Sequence, residues 1–194
     1  MQILHLGCGR KQGTPAQVLA YVGLKIETPP DARIVHLDAD PALQPDLACV
    51  LGRDPIDLPD NSVDVAIAWH VLEHIGRQGE STEWFQFWAE VYRVLTPGGL
   101  LYGECPYYTS VWAWSDPTHT RAMSERCFAF VSQNCYRQAH TAISPYRVRC
   151  DFQWASIGGM AQGYQVWADP NDRENTSIRF ALSAVKPLQP WWED

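Results

Sequence analysis

Met1-Gln-Ile-Leu-His-Leu-Gly-Cys-Gly9 opens the chain, an apolar run, Ile3-Leu4-His5-Leu6, that breaks into two glycines one residue apart. Mostly branched aliphatic residues ending in such a pair read as a buried strand leaving its sheet through a tight turn. Glycine there allows positive φ and removes the Cβ that would keep a ligand off the backbone. At the carboxyl edge of a parallel sheet, that turn is where an α/β protein takes a cofactor.

Working outward, Thr14-Pro15-Ala16-Gln17 has the form of a capping box with proline at the first helical position. Val18, Leu19, Val22 and Ile26 continue it at helical spacing until Thr28-Pro29-Pro30. Ile34-Val-His-Leu-Asp38 then reads as a second buried strand ending in a carboxylate, and a short third strand fits Leu47–Val50. Asp60-Asn-Ser62 is a turn before a fourth strand, Val63-Asp-Val-Ala-Ile-Ala-Trp69. A helix from Ser81 puts Trp84, Trp88, Val91, Tyr92 and Leu95 on one face, Thr96-Pro-Gly-Gly99 stops it, and Leu100–Cys105 is a fifth strand. This alternation predicts an α/β, Rossmann-like, doubly wound and mostly parallel sheet.

Beyond Pro106 the pattern changes. Tyr107–His119 is aromatic, turn-rich and aperiodic, and a helix is expected from Ser124 through Cys127, Phe128 and Val131. Phe152–Ile157, Tyr164–Trp167 and Ser177–Ala184 read as antiparallel strands that complete the sheet, with Trp191-Trp192 a tail or packing anchor. No repeat or low-complexity linker divides the 194 residues, so a single domain is expected over 1–194. Within it, 1–105 forms the cofactor-binding core, 106–150 a substrate-side insertion, and 151–194 the closing strands and tail.

The net charge is −7, and eight aspartates between Asp31 and Asp64 face only Arg33 and Arg53. Such a surface repels phosphates, arguing against a nucleic acid partner, and tolerates a cationic ligand. From 121 to 151 the balance reverses, with Arg121, Arg126, Arg137, Arg147 and Arg149 against Glu125 and Asp151. That stretch is either a patch for an anionic substrate or a set of solvated arginines. No apolar run is long enough for a membrane span, and no signal peptide pattern opens the chain. Six scattered cysteines without a CxxC pair make a reducing, cytoplasmic setting the expectation. Nothing here sets an oligomeric state.

With these elements placed, the sequence resembles the class I S-adenosylmethionine-dependent methyltransferases, particularly the small type-11-like group. The resemblance rests on Leu4-His-Leu-Gly-Cys-Gly9, Val35-His-Leu-Asp38, Asp54–Asp64, Trp69-His-Val-Leu-Glu-His74 and Glu90–Gly99, in the family's order. It implies S-adenosylmethionine as cofactor and methyl transfer to a small-molecule or glycan-like acceptor. It further implies that Leu6, Gly7, Cys8 and Gly9 lie along the cofactor and that Asp38 holds the ribose hydroxyls. Asp54, with Asp57 as competitor, would meet the adenine amino group, and His70 would touch cofactor through its backbone. The sequence departs from the family at His5, where an acidic residue is usual, and at Lys11, where a third glycine is usual; Gly13 follows two residues later.

Two stretches carry further chemistry. Asp116-Pro-Thr-His119-Thr-Arg121 follows the fifth strand on the side expected for the acceptor. There His119 is either a proton acceptor, with Tyr107, Tyr108, Asp116 and Arg121 lining the substrate pocket, or a residue that satisfies a proline turn. His70-Val-Leu-Glu-His74 also has an HxxEH form, which in one zinc-protease group supplies two ligands and a base. Since His70 ends a buried strand and no third ligand is evident, no metal is expected; Glu73 and His74 read as a polar pair buttressing the loop, with His74 the alternative base. Tryptophans 84, 88, 112, 114 and 154 are expected in the core, and Cys8 as a small residue suited to a tight turn. The competing functional class is a non-catalytic binding module of the same fold, which His5 and Lys11 favour.

Overall fold

Alternate residues of the central strands enter two separate apolar layers, and this two-sided burial makes them strands of an interior sheet. The computed structural model describes residues 1–139, 144, 146–157, 160–169 and 172–193. In β1 (Gln2–Leu6) Ile3 joins one layer while Leu4 and Leu6 join the other. β2 spans Arg33–Asp38 and β3 Leu47–Ala48; in β4 (Val63–Trp69) Val65 and Ile67 oppose Ala66 and Ala68. With β5 (Leu95–Pro106) these strands run parallel in the order β3-β2-β1-β4-β5.

Three C-terminal strands complete the sheet: β6 (Phe152–Trp154), β7 (Tyr164–Asp169) and β8 (Asp172–Ala184). β8 runs antiparallel to β5, and β7 and β6 pair antiparallel with different stretches of its outer edge. The fold is therefore a Rossmann-like α/β sheet, mostly parallel, with an antiparallel C-terminal portion.

α1 (Pro15–Tyr21) starts on the expected capping box, with both reciprocal bonds between Thr14 and Gln17 present. It packs Val18 and Leu19 against the layer containing Ile3. The helix stops before Ile26 because Leu24 N–H returns to the Leu19 carbonyl and Gly23 N–H to that of Ala20, a Schellman closure over Gly23 at φ +69°. α2 (Thr82–Val94) covers the opposite layer with Trp84, Phe87, Trp88 and Val91. α3 (Trp112–Ser115) lies inside the stretch expected to be aperiodic, and Glu125–Val131 is a 3₁₀ rather than an α-helix, followed by α4 (Gln133–Ala139).

The tryptophans divide. Trp84 and Trp88 are core, whereas Trp112, Trp114 and Trp154 remain substantially exposed, correcting the expectation for those three. Trp114 sits on a one-turn helix with no second layer over it, and its indole donates to the Tyr108 carbonyl. Trp154 rests against Phe128 and Tyr164 near the sheet's outer edge. Trp191 stacks on Tyr136 as a packing anchor, while Asp194 and residues 140–143 and 145 of the expected insertion lie outside the described residues. Among the described residues no helix is long and apolar enough to cross a membrane.

Candidate functional site

β1 lies between β2 and β4, so the chain reverses its direction of winding there and the loops after β1 and β4 separate at their carboxyl ends. Gly7 and Gly9 both have positive φ, at +57° and +52°. A Cβ on Gly7 would lie 2.7 Å from Val71 Cγ2, which shows how closely the two loops meet; one on Gly9 would meet nothing within 4 Å. The open side of Gly9 is where a ligand can approach the backbone.

Asp38, at the end of β2, fastens this loop. Its Oδ2 accepts from Gly9 N–H at 2.7 Å and its Oδ1 from Asp40 N–H at 3.0 Å, while Cys8 N–H donates to the Leu37 carbonyl at 3.0 Å. A carboxylate offers about four acceptor positions, so about two remain for a ligand. Beside it lies a cleft of about 320 Å³ bordered by Gly7, Asp38, Val50, Leu51, His70 and His74. Val50 keeps 38% of its surface exposed there, an apolar face suited to a flat ring. Asp54 stands next to it: its Oδ2 accepts from Val50 N–H at 2.8 Å. Asp57 is exposed beyond buried Ile56.

Of the two departures noted in the sequence, His5 lies buried behind the loop and Lys11 is exposed within it. His5 is 2% exposed, and its Nδ1 meets His36 Nδ1 at 3.3 Å, while His36 Nε2 is 2.9 Å from the Gly13 carbonyl. One ring must donate and the other accept at that separation, so the pair holds the loop only while it is not doubly protonated. Burial, with the neighbouring His36 adding to it and Asp38 opposing, pushes His5 down to about 4. Lys11 reaches over the Tyr21 ring at 5.1 Å. Leu6 is fully buried, so only its backbone can face a ligand, and burial pushes the Cys8 thiol up to about 11, which keeps it protonated and unreactive.

On the other side of the cleft, His70 leaves β4 at φ +54°, its N–H donating to the Glu104 carbonyl at 2.8 Å. Burial disfavours its charge, but the bond to Glu73 (3.3 Å) and the charges of Glu73 and Glu104 outweigh that and raise its pKa. Only Leu72–His74 is helical, as one 3₁₀ turn, so His70 and His74 do not share the helix face a zinc-protease HxxEH requires. Glu73 is 1% exposed, and its Oε2 has no partner among the described residues. An unmatched buried oxygen of this kind costs about 1–3 kcal/mol or more.

The Asp116–Arg121 stretch folds directly onto this turn. The Thr120 and Arg121 N–H groups donate to the Glu73 carbonyl at 2.9 and 3.1 Å. His119 then lies with its ring centroid 4.8 Å from that of His74 and its Nε2 4.0 Å from Glu73 Oε1. Asp116 caps Thr118 through its backbone N–H and hydroxyl, bonds that lower its pKa, and its Oδ2 is 3.9 Å from His119 Nε2.

The remaining residues named from the sequence stand apart from that cluster. Arg121 donates to the carbonyls of Ile75, Arg77 and Glu80 and stacks on Trp84 at 4.4 Å, which makes it a loop clamp. Tyr107 donates to Glu125 Oε2 at 2.8 Å, and burial together with that carboxylate pushes its hydroxyl up to about 12. Tyr108 packs on Tyr107 and is 47% exposed. Two features near the site had not been expected from the sequence: the unmatched Oε2 of Glu73, and Glu104, which takes two bonds from Arg179 at 2.7 and 2.9 Å. A signal existed for Glu104, a lone charge within the apolar run Leu100–Cys105.

Residues 4–103 match the model of a family described as methyltransferase domain. The chain is 31% identical over 137 residues to a protein of Mycolicibacterium smegmatis named "Probable S-adenosylmethionine-dependent methyltransferase". That match takes in 63% of this chain and 46% of the relative, so the chain spans about half the length of that curated protein. In fold it is similar to the 1,6-didemethyltoxoflavin-N1-methyltransferase of Burkholderia thailandensis, solved with S-adenosylhomocysteine, at TM-score 0.53 and 14% identity over 95% of this chain and 71% of that one. It is similar also to the 16S rRNA (adenine(1408)-N(1))-methyltransferase of Catenulisporales acidiphilia, at TM-score 0.56 and 12% identity over 95% and 86%. Those two act on chemically unrelated acceptors, so the shared fold names none for this chain.

Proposed function

Because the chain belongs to the class I S-adenosylmethionine-dependent methyltransferase-domain family, we propose that it transfers a methyl group from S-adenosylmethionine to an oxygen or nitrogen of a small-molecule or glycan-like acceptor. The observation that carries the reading is Asp38, fixed by the bond from Gly9 N–H beside the cleft, with acceptor positions to spare. A vicinal diol supplies two donors to such a carboxylate, whereas a phosphate would be repelled by it. The apolar face of Val50 suits an adenine ring, and Asp54, bonded to the Val50 N–H, is assigned to its amino group. When bound, S-adenosylmethionine supplies a methyl group on a positively charged sulfur, which the surrounding carboxylates tolerate.

Methyl transfer needs the nucleophile in line with the S–CH₃ bond, so the protein acts first by positioning. Among the acceptor-side groups, His74 borders the cleft directly, and His119 and Glu73 stand behind it. Activation of an acceptor that must lose a proton is assigned to this cluster. Exposed Tyr108, Trp112 and Trp114 lie on the same chain segment, and such aromatic faces suit the apolar faces of sugar rings, which supports a glycan-like acceptor. The acidic surface speaks against nucleic acid.

Calorimetric titration with S-adenosylmethionine tests the reading. The wild type is expected to bind one equivalent and Asp38→Ala to bind roughly 100-fold more weakly, as expected for losing two hydrogen bonds to a charged group. A wild type that binds none removes the proposal.

A further inference from the structure

We propose that Glu73, His74 and His119 form a site for one divalent first-row transition-metal ion whose open coordination positions face the acceptor side of the cleft. The inference rests on placing this cluster beside the acceptor and specifies how it acts, through an ion rather than a bare imidazole.

One ligand atom from each of the three residues lies within 4.8 Å of the others. The tautomers are set by their neighbours. His119 Nδ1 is 2.8 Å from the Trp112 carbonyl and His74 Nδ1 is 3.2 Å from the Thr118 carbonyl. A carbonyl oxygen only accepts, so both Nδ1 atoms carry a proton, which leaves Nε2 as the ligating nitrogen of each neutral ring. A backbone carbonyl behind the ring is also the usual outer support of a ligating histidine.

Glu73 supplies the independent observation. Its side chain is 1% exposed, Oε1 is engaged by His70 at 3.3 Å, and Oε2 has no partner among the described residues. Nor does His119 hydrogen-bond the other oxygen of this carboxylate, its Nε2 standing 4.0 Å from Oε1. A cation between the carboxylate and the two imidazoles satisfies all three groups at once.

Two nitrogens and one carboxylate favour zinc, iron(II), cobalt or manganese over calcium and magnesium, which prefer oxygen donors throughout. Bonds of about 2.0–2.2 Å place neighbouring donors about 3–3.5 Å apart, so seating the ion draws the three together by about 1 Å. His74 is exposed, and its place on the cleft gives the ion an entry path. Three protein ligands leave positions open, as in catalytic rather than structural sites.

The test is optical titration of the chelator-treated, dialysed protein with Co²⁺ alone. One equivalent is expected to bind with visible ligand-field bands and no thiolate-to-cobalt charge-transfer band, which excludes the six cysteines as ligands. His119→Ala and Glu73→Gln are each expected to weaken binding at least about tenfold. His74→Ala, at an exposed position, gives the same readout without disturbing the core. The proposal is overturned by no stoichiometric binding, by a thiolate band, or by unchanged affinity in His74→Ala. A parallel titration with S-adenosylmethionine separates the two readings. Cofactor binding without cobalt binding removes the ion alone, and cobalt binding without cofactor binding supports the ion and removes the methyltransferase reading.

Discussion

Acid should loosen the glycine loop before it unfolds the rest of the molecule, and His5 is the reason. In the folded chain its pKa is pushed down to about 4, first by burial and then by His36, so the folded state excludes a proton that the unfolded chain binds near 6.5. A basic group with a lowered folded pKa contributes fully above its unfolded value and loses that contribution as the pH falls toward the folded one. Integrating between those values gives a loss of about 1.6 kcal/mol from about pH 6.5 to about pH 5, and about 3 kcal/mol in all by about pH 4. For a chain of this size the first step lowers Tm by roughly 3–6 °C. His70 shifts the other way, so its contribution is already complete below about 6.5 and is flat across this window. Glu90, held below the ordinary carboxylate range chiefly by Arg93, titrates lower still. The assay is urea denaturation at several pH values in wild type and His5→Asn. Asparagine can still donate to His36 Nδ1 but does not titrate, so its stability should be level from about pH 6.5 to about pH 5 while the wild type falls. Parallel curves for the two proteins would refute the reasoning.

Gly7→Ala places a methyl 2.7 Å from Val71 Cγ2 at φ +57°, so a loss of about 1–3 kcal/mol is expected by chemical denaturation, part of it restored by adding Val71→Ala. Arg179→Met leaves Glu104, 4% exposed, without its cation; stability should drop by about 2–4 kcal/mol, and Glu104→Leu in the same chain should recover some of it. Thr14→Ala removes one half of the capping box and should cost about 1 kcal/mol in thermal unfolding with no effect on cobalt binding.

The amino-acid sequence by itself determined the parallel core. Short apolar runs with glycine, proline and cap residues between them admit only strand–turn–helix alternation, and a right-handed crossover then leaves few sheet orders. Gly7, Gly9 and Asp38 were legible for the same reason, since a residue at the end of a strand is placed once the strand is. Where local signals weaken, the reading lost detail: α1 stops at Gly23 although Ile26 keeps the helical spacing, and exposed Trp112 and Trp114 have the composition of core residues.

Only the tertiary structure decided what stands around Glu73. From the chain alone HxxEH lacked a third ligand, because His119 lies 45 residues beyond His74 and no local periodicity ties the two. Backbone bonds from Thr120 and Arg121 to the Glu73 carbonyl bring them together, and these exist only once β5 has carried the chain back across the sheet. The same holds for His5, an anomaly in the sequence that becomes a support for the glycine loop when β2 sets His36 beside it. Strands and caps depend on neighbours in sequence; the pairing of side chains across a sheet depends on register, which the folded chain alone supplies.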